Sequence, residues 1–225
     1  MDAAVERFSF GAGERTLSGL WTPAGAPVAV AVLAHGAGAG IEHPFMTGAT
    51  EGLAEGGVTT MRFNFPYVEE GRRSPDRPPV LLLAWRGALE EARRRSEGLP
   101  IAAGGKSLGG RMASMLAAED EGGFAAGALV FFAYPLHAPG KSDRPRDAHL
   151  PDVTVPMLFI QGTDDALARF DLIEELVRRL GSRARLHAVK GGDHSFRVRG
   201  ARNPDAETGK DLGAVAAEFI REVLA

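Results

Sequence analysis

Uninterrupted runs of small and β-branched residues recur along this chain, and amphipathic stretches of helical period lie between them. Val28 to Ala34 reads VAVAVLA, with no polar residue at any alternate position. Such a run suits a strand buried on both faces, as in a parallel sheet. Similar runs fall at Val58 to Phe65, Pro100 to Ala103, Gly127 to Ala133 and Val155 to Ile160. Ala184 to Val189 is less apolar and predicts a strand nearer an edge. The intervening segments predict helices over Phe45 to Glu55, Val80 to Ser96, Ser107 to Glu119, Leu167 to Leu180 and Ala206 to Leu224. Strand and helix in alternation mean a doubly wound α/β fold with helices on both faces of a mostly parallel sheet. Val5 to Phe10 and Thr16 to Trp21, around Gly11 and Gly13, predict an antiparallel hairpin on one sheet edge. With 225 residues, 44% hydrophobic, and no repeat or linker, the chain reads as a single domain over 1–225.

A net charge of -3, with Arg and acids interspersed, gives no basic footprint for nucleic acid. The absence of cysteine excludes disulfides, zinc-thiolate sites and a cysteine nucleophile. The start, MDAAVERFSF, lacks the basic and apolar regions of a signal peptide, and Ala125 to Pro135 is too short to cross a bilayer. The expectation is a soluble, cytoplasmic protein with no membrane partner.

The chemistry is concentrated after the strands. Gly105-Lys106-Ser107-Leu108-Gly109 is a G-x-S-x-G between a predicted strand and a predicted helix. That spacing sets a serine on a sharp turn, with glycines where Cβ atoms would clash, and aims a helix N-terminus at developing negative charge. Taken alone, the pattern is equally a Gly-rich turn with a serine cap. A phosphate-loop reading of the same residues fails at Pro100, where the pattern needs glycine.

A serine hydroxyl needs a base. Of the six histidines, only His194, in GGDHSF, follows the last predicted strand. The base in turn needs a carboxylate, and the strand ending at Ile160 leads into Gln161-Gly162-Thr163-Asp164-Asp165. Asp165 fits the G-x-x-D spacing, and Asp164 is the alternative. Asp193 is better suited to shaping its loop. The order Ser…Asp…His is that of an α/β-hydrolase. The oxyanion donors would be the N–H of Leu108 and that of Ala37, in the His35-Gly36-Ala37-Gly38-Ala39-Gly40 loop after the first parallel strand. His35 reads as a tie for that loop. Neither register of its glycines completes a dinucleotide fingerprint. The long stretch Tyr134 to Asp152 reads as a surface loop. In it His137 and Arg144 are candidates to touch substrate. Lys141, Arg144 and Arg146 hint at an anionic substrate, although a solvated basic loop is the plainer reading.

HGAGAG, RFNFPY, GGKSLGGRMAS, YPLHAPGK, RDAHLPDVTVPMLFIQGTDD and GGDHSF together resemble the small α/β-hydrolase-like family of the testis-expressed and non-specific-lethal-complex subunit type, close to dienelactone hydrolase-like proteins. The resemblance covers nearly the whole chain. It implies an eight-stranded sheet without a large cap and a triad of Ser107, Asp165 and His194. The expected activity is hydrolysis of a small-molecule ester or thioester through an acyl-enzyme, with no cofactor and no metal. Some members of that family are parts of larger assemblies, so the competing expectation is a non-catalytic binding or scaffold protein on the same fold.

Overall fold

The computed structural model describes residues 4–119 and 123–224. The extreme ends of the domain read over 1–225, including the first three residues of the leader reading, lie outside them. One sheet runs through the molecule in the order β1 (Glu6–Ala12), β2 (Arg15–Thr22), β4 (Val58–Phe63), β3 (Ala29–Ala34), β5 (Ile101–Lys106), β6 (Ala128–Phe132), β7 (Met157–Gly162), β8 (Ala184–Val189). β1 and β2 form the expected antiparallel hairpin, and β2 also pairs antiparallel with β4. All pairings from β4 to β8 are parallel. The chain winds from β3 outward to β4, then returns to lay β5 on the other side of β3. The winding reverses between β3 and β5, and in open α/β sheets ligands bind outside the carboxyl ends of the strands at such a switch point.

Apolar cores fill both faces. On one, α3 (Pro78–Arg95), α4 (Leu108–Glu119) and α5 (Phe170–Leu180) bury Trp85, Leu89, Met112, Leu116, Ile173 and Leu176 against the sheet. The Trp85 ring meets Phe63 edge-on, with centroids 5.0 Å apart. On the other face, α1 (Pro44–Glu55) and α6 (Asp205–Leu224) bury Phe45, Leu53, Leu212, Phe219 and Ile220. A short helical turn, α2 (Pro66–Glu69), follows β4. Pro66 starts it and holds Phe65 extended, so β4 stops before Phe65, where the apolar run predicts more strand.

α1 and α6 touch backbone to backbone. A Cβ on Gly48 would stand 1.9 Å from the Ala206 carbonyl oxygen, and one on Gly52 2.0 Å from that of Lys210. Gly209 and Gly213 of α6 make the reciprocal approach to Phe45 and Ala49. Glycines four apart on both helices remove the side chains that would hold the axes farther apart.

Glycine in a helix interior normally costs about 1 kcal/mol relative to alanine. At this seam the sign reverses. Gly52→Ala is expected to lower stability by about 1–3 kcal/mol through overpacking, read as a lower urea midpoint. A midpoint equal to or above that of the parent would show that the helices do not approach this closely.

Candidate active site

β5 does not end at Ala103, where the predicted strand stops, but runs on through Gly104 and Gly105 to Lys106. The glycines belong to the strand because neighbouring backbones leave no room for side chains. A Cβ on Gly105, at φ 145, would lie 2.0 Å from the Ala34 carbonyl oxygen at the end of β3, and one on Gly109 2.2 Å from the same atom. The turn between strand and α4 therefore presses against β3. Ser107 pays for that with φ 49, a left-handed conformation rare for a residue bearing a Cβ. Its N–H donates to the Phe132 carbonyl of β6 at 2.9 Å, and its carbonyl accepts from Arg111 N at 3.0 Å. Leu108 opens α4, where a backbone N–H has no partner within the helix.

The loop after β3 lies beside the serine: a Cβ on Gly36 would be 3.6 Å from Ser107 Cβ, and the next residue, Ala37, is exposed. Residues at the end of β4 fix this loop. His35 is fully buried, its Nδ1 within 2.8 Å of the Gly36 carbonyl and its Nε2 accepting from Phe65 N at 3.2 Å. Those contacts define a neutral ring protonated at Nδ1, and burial pushes its pKa down to about 4. His35 is thus the tie that its position suggests. Arg62 Nη1 donates to the Ile41 carbonyl at 2.8 Å, and Asn64 Oδ1 accepts from Ile41 N at 3.0 Å. Burial lowers the Arg62 pKa to about 10.

The loops after β7 and β8 are laced together. Thr163 N donates to the Val189 carbonyl, Asp164 N to that of Gly192, and Gly191 N to Thr163 Oγ1. A Cβ on Gly162 would lie 2.1 Å from the Gly192 oxygen, so only glycine permits the approach. The lacing brings Asp165 Oδ2 within 2.8 Å of His194 Nδ1, and His194 Nε2 within 2.8 Å of Ser107 Oγ. Asp165 is buried, whereas the His194 side chain is 25% exposed. Asp164 is exposed and accepts only from Thr163 Oγ1 among the described residues. Asp193 shapes the loop, its Oδ1 accepting from Ser195 N and Arg197 N.

His137 and Arg144 do not join this row. His137 is buried, with Nδ1 at the Ala138 carbonyl and Nε2 accepting from Arg169 N at 2.9 Å. Both ring nitrogens are occupied by backbone, so the expectation of a substrate contact there gives way to a strut. His137 N donates to the Leu167 carbonyl, while Leu167 N donates to Asp165 Oδ1 at 2.7 Å. His137 thereby steadies the loop that holds the acid. Arg144 is exposed and lies 3.7 Å from Asp143. Among the described residues, no group of three His, Asp or Glu side chains is disposed to hold a metal ion, and no helix is long and apolar enough to cross a membrane.

Sequence reasoning missed Gln161. Its Nε2 donates to Asp165 Oδ2 at 2.6 Å, on the oxygen that also faces His194. The signal was present: an amide closing the otherwise apolar run MLFIQ has to find a partner once buried.

A family model described as the alpha/beta hydrolase domain matches residues 27–223. Among solved structures, a dienelactone hydrolase from Anabaena variabilis superposes with a TM-score of 0.77 at 22% identity, covering 100% of both chains. A serine hydrolase without lid from Xanthomonas campestris superposes with a TM-score of 0.75 at 20% identity, over 100% of this chain and 97% of that one. A cold-adapted esterase from an Arctic intertidal metagenomic library gives 0.70 at 18% identity, over 98% and 94%.

The strain at Ser107 is measurable. Ser107→Gly is expected to raise stability by roughly 1 kcal/mol, because glycine adopts a left-handed φ freely. Ser107→Ala keeps the Cβ and the strain, so it gives no comparable gain. Thermal melting of the two variants beside the parent checks this, and a glycine variant no more stable than the alanine one would contradict it.

Proposed function

From the premise that this chain belongs to the α/β-hydrolase family, we propose that it is a serine hydrolase cleaving a small-molecule carboxylic ester or thioester through an acyl-enzyme. The observation that carries the reading is the continuous row Ser107 Oγ, His194 Nε2, His194 Nδ1, Asp165 Oδ2, in which both hydrogen bonds are 2.8 Å. Hydroxyl, imidazole and carboxylate in that order are the parts an acyl transfer needs.

In the proposed reaction His194 Nε2 takes the hydroxyl proton as Ser107 Oγ bonds to the substrate carbonyl carbon. The carbonyl electrons move to oxygen, which the N–H groups of Leu108 and Ala37 stabilise. Collapse expels the alkoxide or thiolate, which receives the proton from His194. Water then attacks the acyl-enzyme, giving its proton to His194 and releasing the acid as Ser107 recovers a proton. Asp165 holds the Nδ1–H tautomer and stabilises the imidazolium. Gln161 Nε2 and Leu167 N fix the carboxylate for that task. The motifs GGKSLGGRMAS and GGDHSF support placing the protein in the small branch of the family, of the testis-expressed and lethal-complex-subunit type.

A fluorophosphonate probe is expected to label the parent protein and not Ser107→Ala. Asp165→Asn should slow the labelling by about 10³- to 10⁴-fold, while Asp164→Asn labels like the parent. A parent that resists the probe would favour a binding role on this fold. Equal losses at both aspartates would remove the assignment of the acid.

A further inference from the structure

Lys106 occupies the variable position of G-x-S-x-G, and the hydrolytic steps above make no use of it. Its side chain turns to the face of the sheet opposite α4, beneath the loop that carries His194. There its Nζ donates to the backbone carbonyl of His194. The ammonium also lies 5.1 Å from the centroid of Phe196 and 5.9 Å from that of Phe45, rings that stack on each other. Phe196 is buried with φ 64, so the His194 loop doubles back there in a conformation that needs support. Asp193 ties the loop through Ser195 N and Arg197 N. Among the described residues, Lys106 alone connects this loop by a side-chain cation to the strand bearing the serine.

We propose, resting on the hydrolase reading, that Lys106 is a positioning residue whose ammonium fastens the His194 carbonyl and so holds the imidazole within reach of the Ser107 hydroxyl. The cation and the nucleophile are neighbours in the chain, so the base is registered directly on the turn it serves. A charged donor on a carbonyl is roughly twice as strong as a neutral one, and two aromatic faces favour the same charge. The carbonyl belongs to His194 itself, so displacing that peptide carries the imidazole with it. A misplacement of about 1 Å is enough to cost about 100-fold in rate.

The charge is conditional. Burial lowers the Lys106 pKa to about 8, against the opposing pull of Asp165 after β7, Asp193 after β8 and Asp205 at the start of α6. From α1 it faces the Phe45 ring, and from the loop after β3 Gly36 lies beside the stem of the side chain, where an added Cβ would be 3.6 Å from Lys106 Cγ. The ammonium is therefore present below about pH 8 and is lost as pH rises through it. A neutral amine is a weaker donor and no longer draws on the aromatic faces.

The experiment compares the parent, Lys106→Met, and Lys106→Cys aminoethylated with 2-bromoethylamine in urea and refolded. The chain has no cysteine, so the alkylation is specific to that site and restores an ammonium of near-native length. Fluorophosphonate labelling of Lys106→Met is expected to be about 10- to 100-fold slower at saturating probe, with half-saturation unchanged. Aminoethylation should recover most of the rate. The parent's labelling rate should lose its advantage over Lys106→Met above about pH 8. A second readout needs no activity: the low-field proton NMR signal of the His194–Asp165 hydrogen bond should be sharp in the parent and broadened or absent in Lys106→Met. Equal labelling and equal NMR signals in parent and Lys106→Met would overturn the proposal. If the parent resists the probe, the hydrolase reading falls, and the NMR comparison still decides whether Lys106 positions His194.

Discussion

The carbonyl oxygen of Ala34 is the point on which the site is built. Gly105 of the central strand and Gly109 of the following helix both crowd it, each at a distance no side chain tolerates. That crowding makes the strand-to-helix turn tight, and the tight turn forces Ser107 into its left-handed conformation. It also sets the loop after β3 beside the serine, where a Cβ on Gly36 would come within 3.6 Å of Ser107 Cβ. Backbone strain here is a local cost of about 1–3 kcal/mol, borne by the packing of α4 and of the strands around it.

Polar residues hold the rest of the arrangement where apolar packing cannot specify it. Arg62, Asn64 and His35 tie one loop, while Gln161, Thr163 and His137 tie another. Burying an arginine or histidine is unfavourable, as the lowered pKa values of Arg62 and His35 register. Leucines at these positions would remove that penalty and leave the backbone groups of the loops unsatisfied.

The fold was legible because a parallel sheet buried on both faces writes unbroken apolar runs into its strands. The serine and the aspartate each follow such a run and the histidine follows the less apolar edge strand β8, which is why order along the chain could suggest their meeting. Boundaries were less legible where glycine or proline intervened. Gly104 and Gly105 look like a strand's end and are its continuation. Leu167 to Arg169 look helical in composition, yet their amides serve Asp165 and His137, so α5 begins at Phe170. His137 shows the opposite failure. A histidine in a polar loop looks available to a ligand, and only the three-dimensional path reveals both nitrogens in use. The glycines of α1 and α6 were invisible for a similar reason: in sequence they weaken a helix, and their partner lies more than half the chain away.

That seam reaches beyond the packing of two helices. α1 continues from the loop that lies beside the serine, and α6 from the loop that bears the imidazole. The two helices therefore act as yoked handles on opposite jaws of the cleft. Loosening them far from the chemistry would let the jaws swing independently while the strands stay paired. Heat inactivation would then set in at temperatures where most of the tertiary structure still stands. The seam glycines, rather than any residue in the cleft, would be the natural place for evolution to tune the working temperature of such a protein.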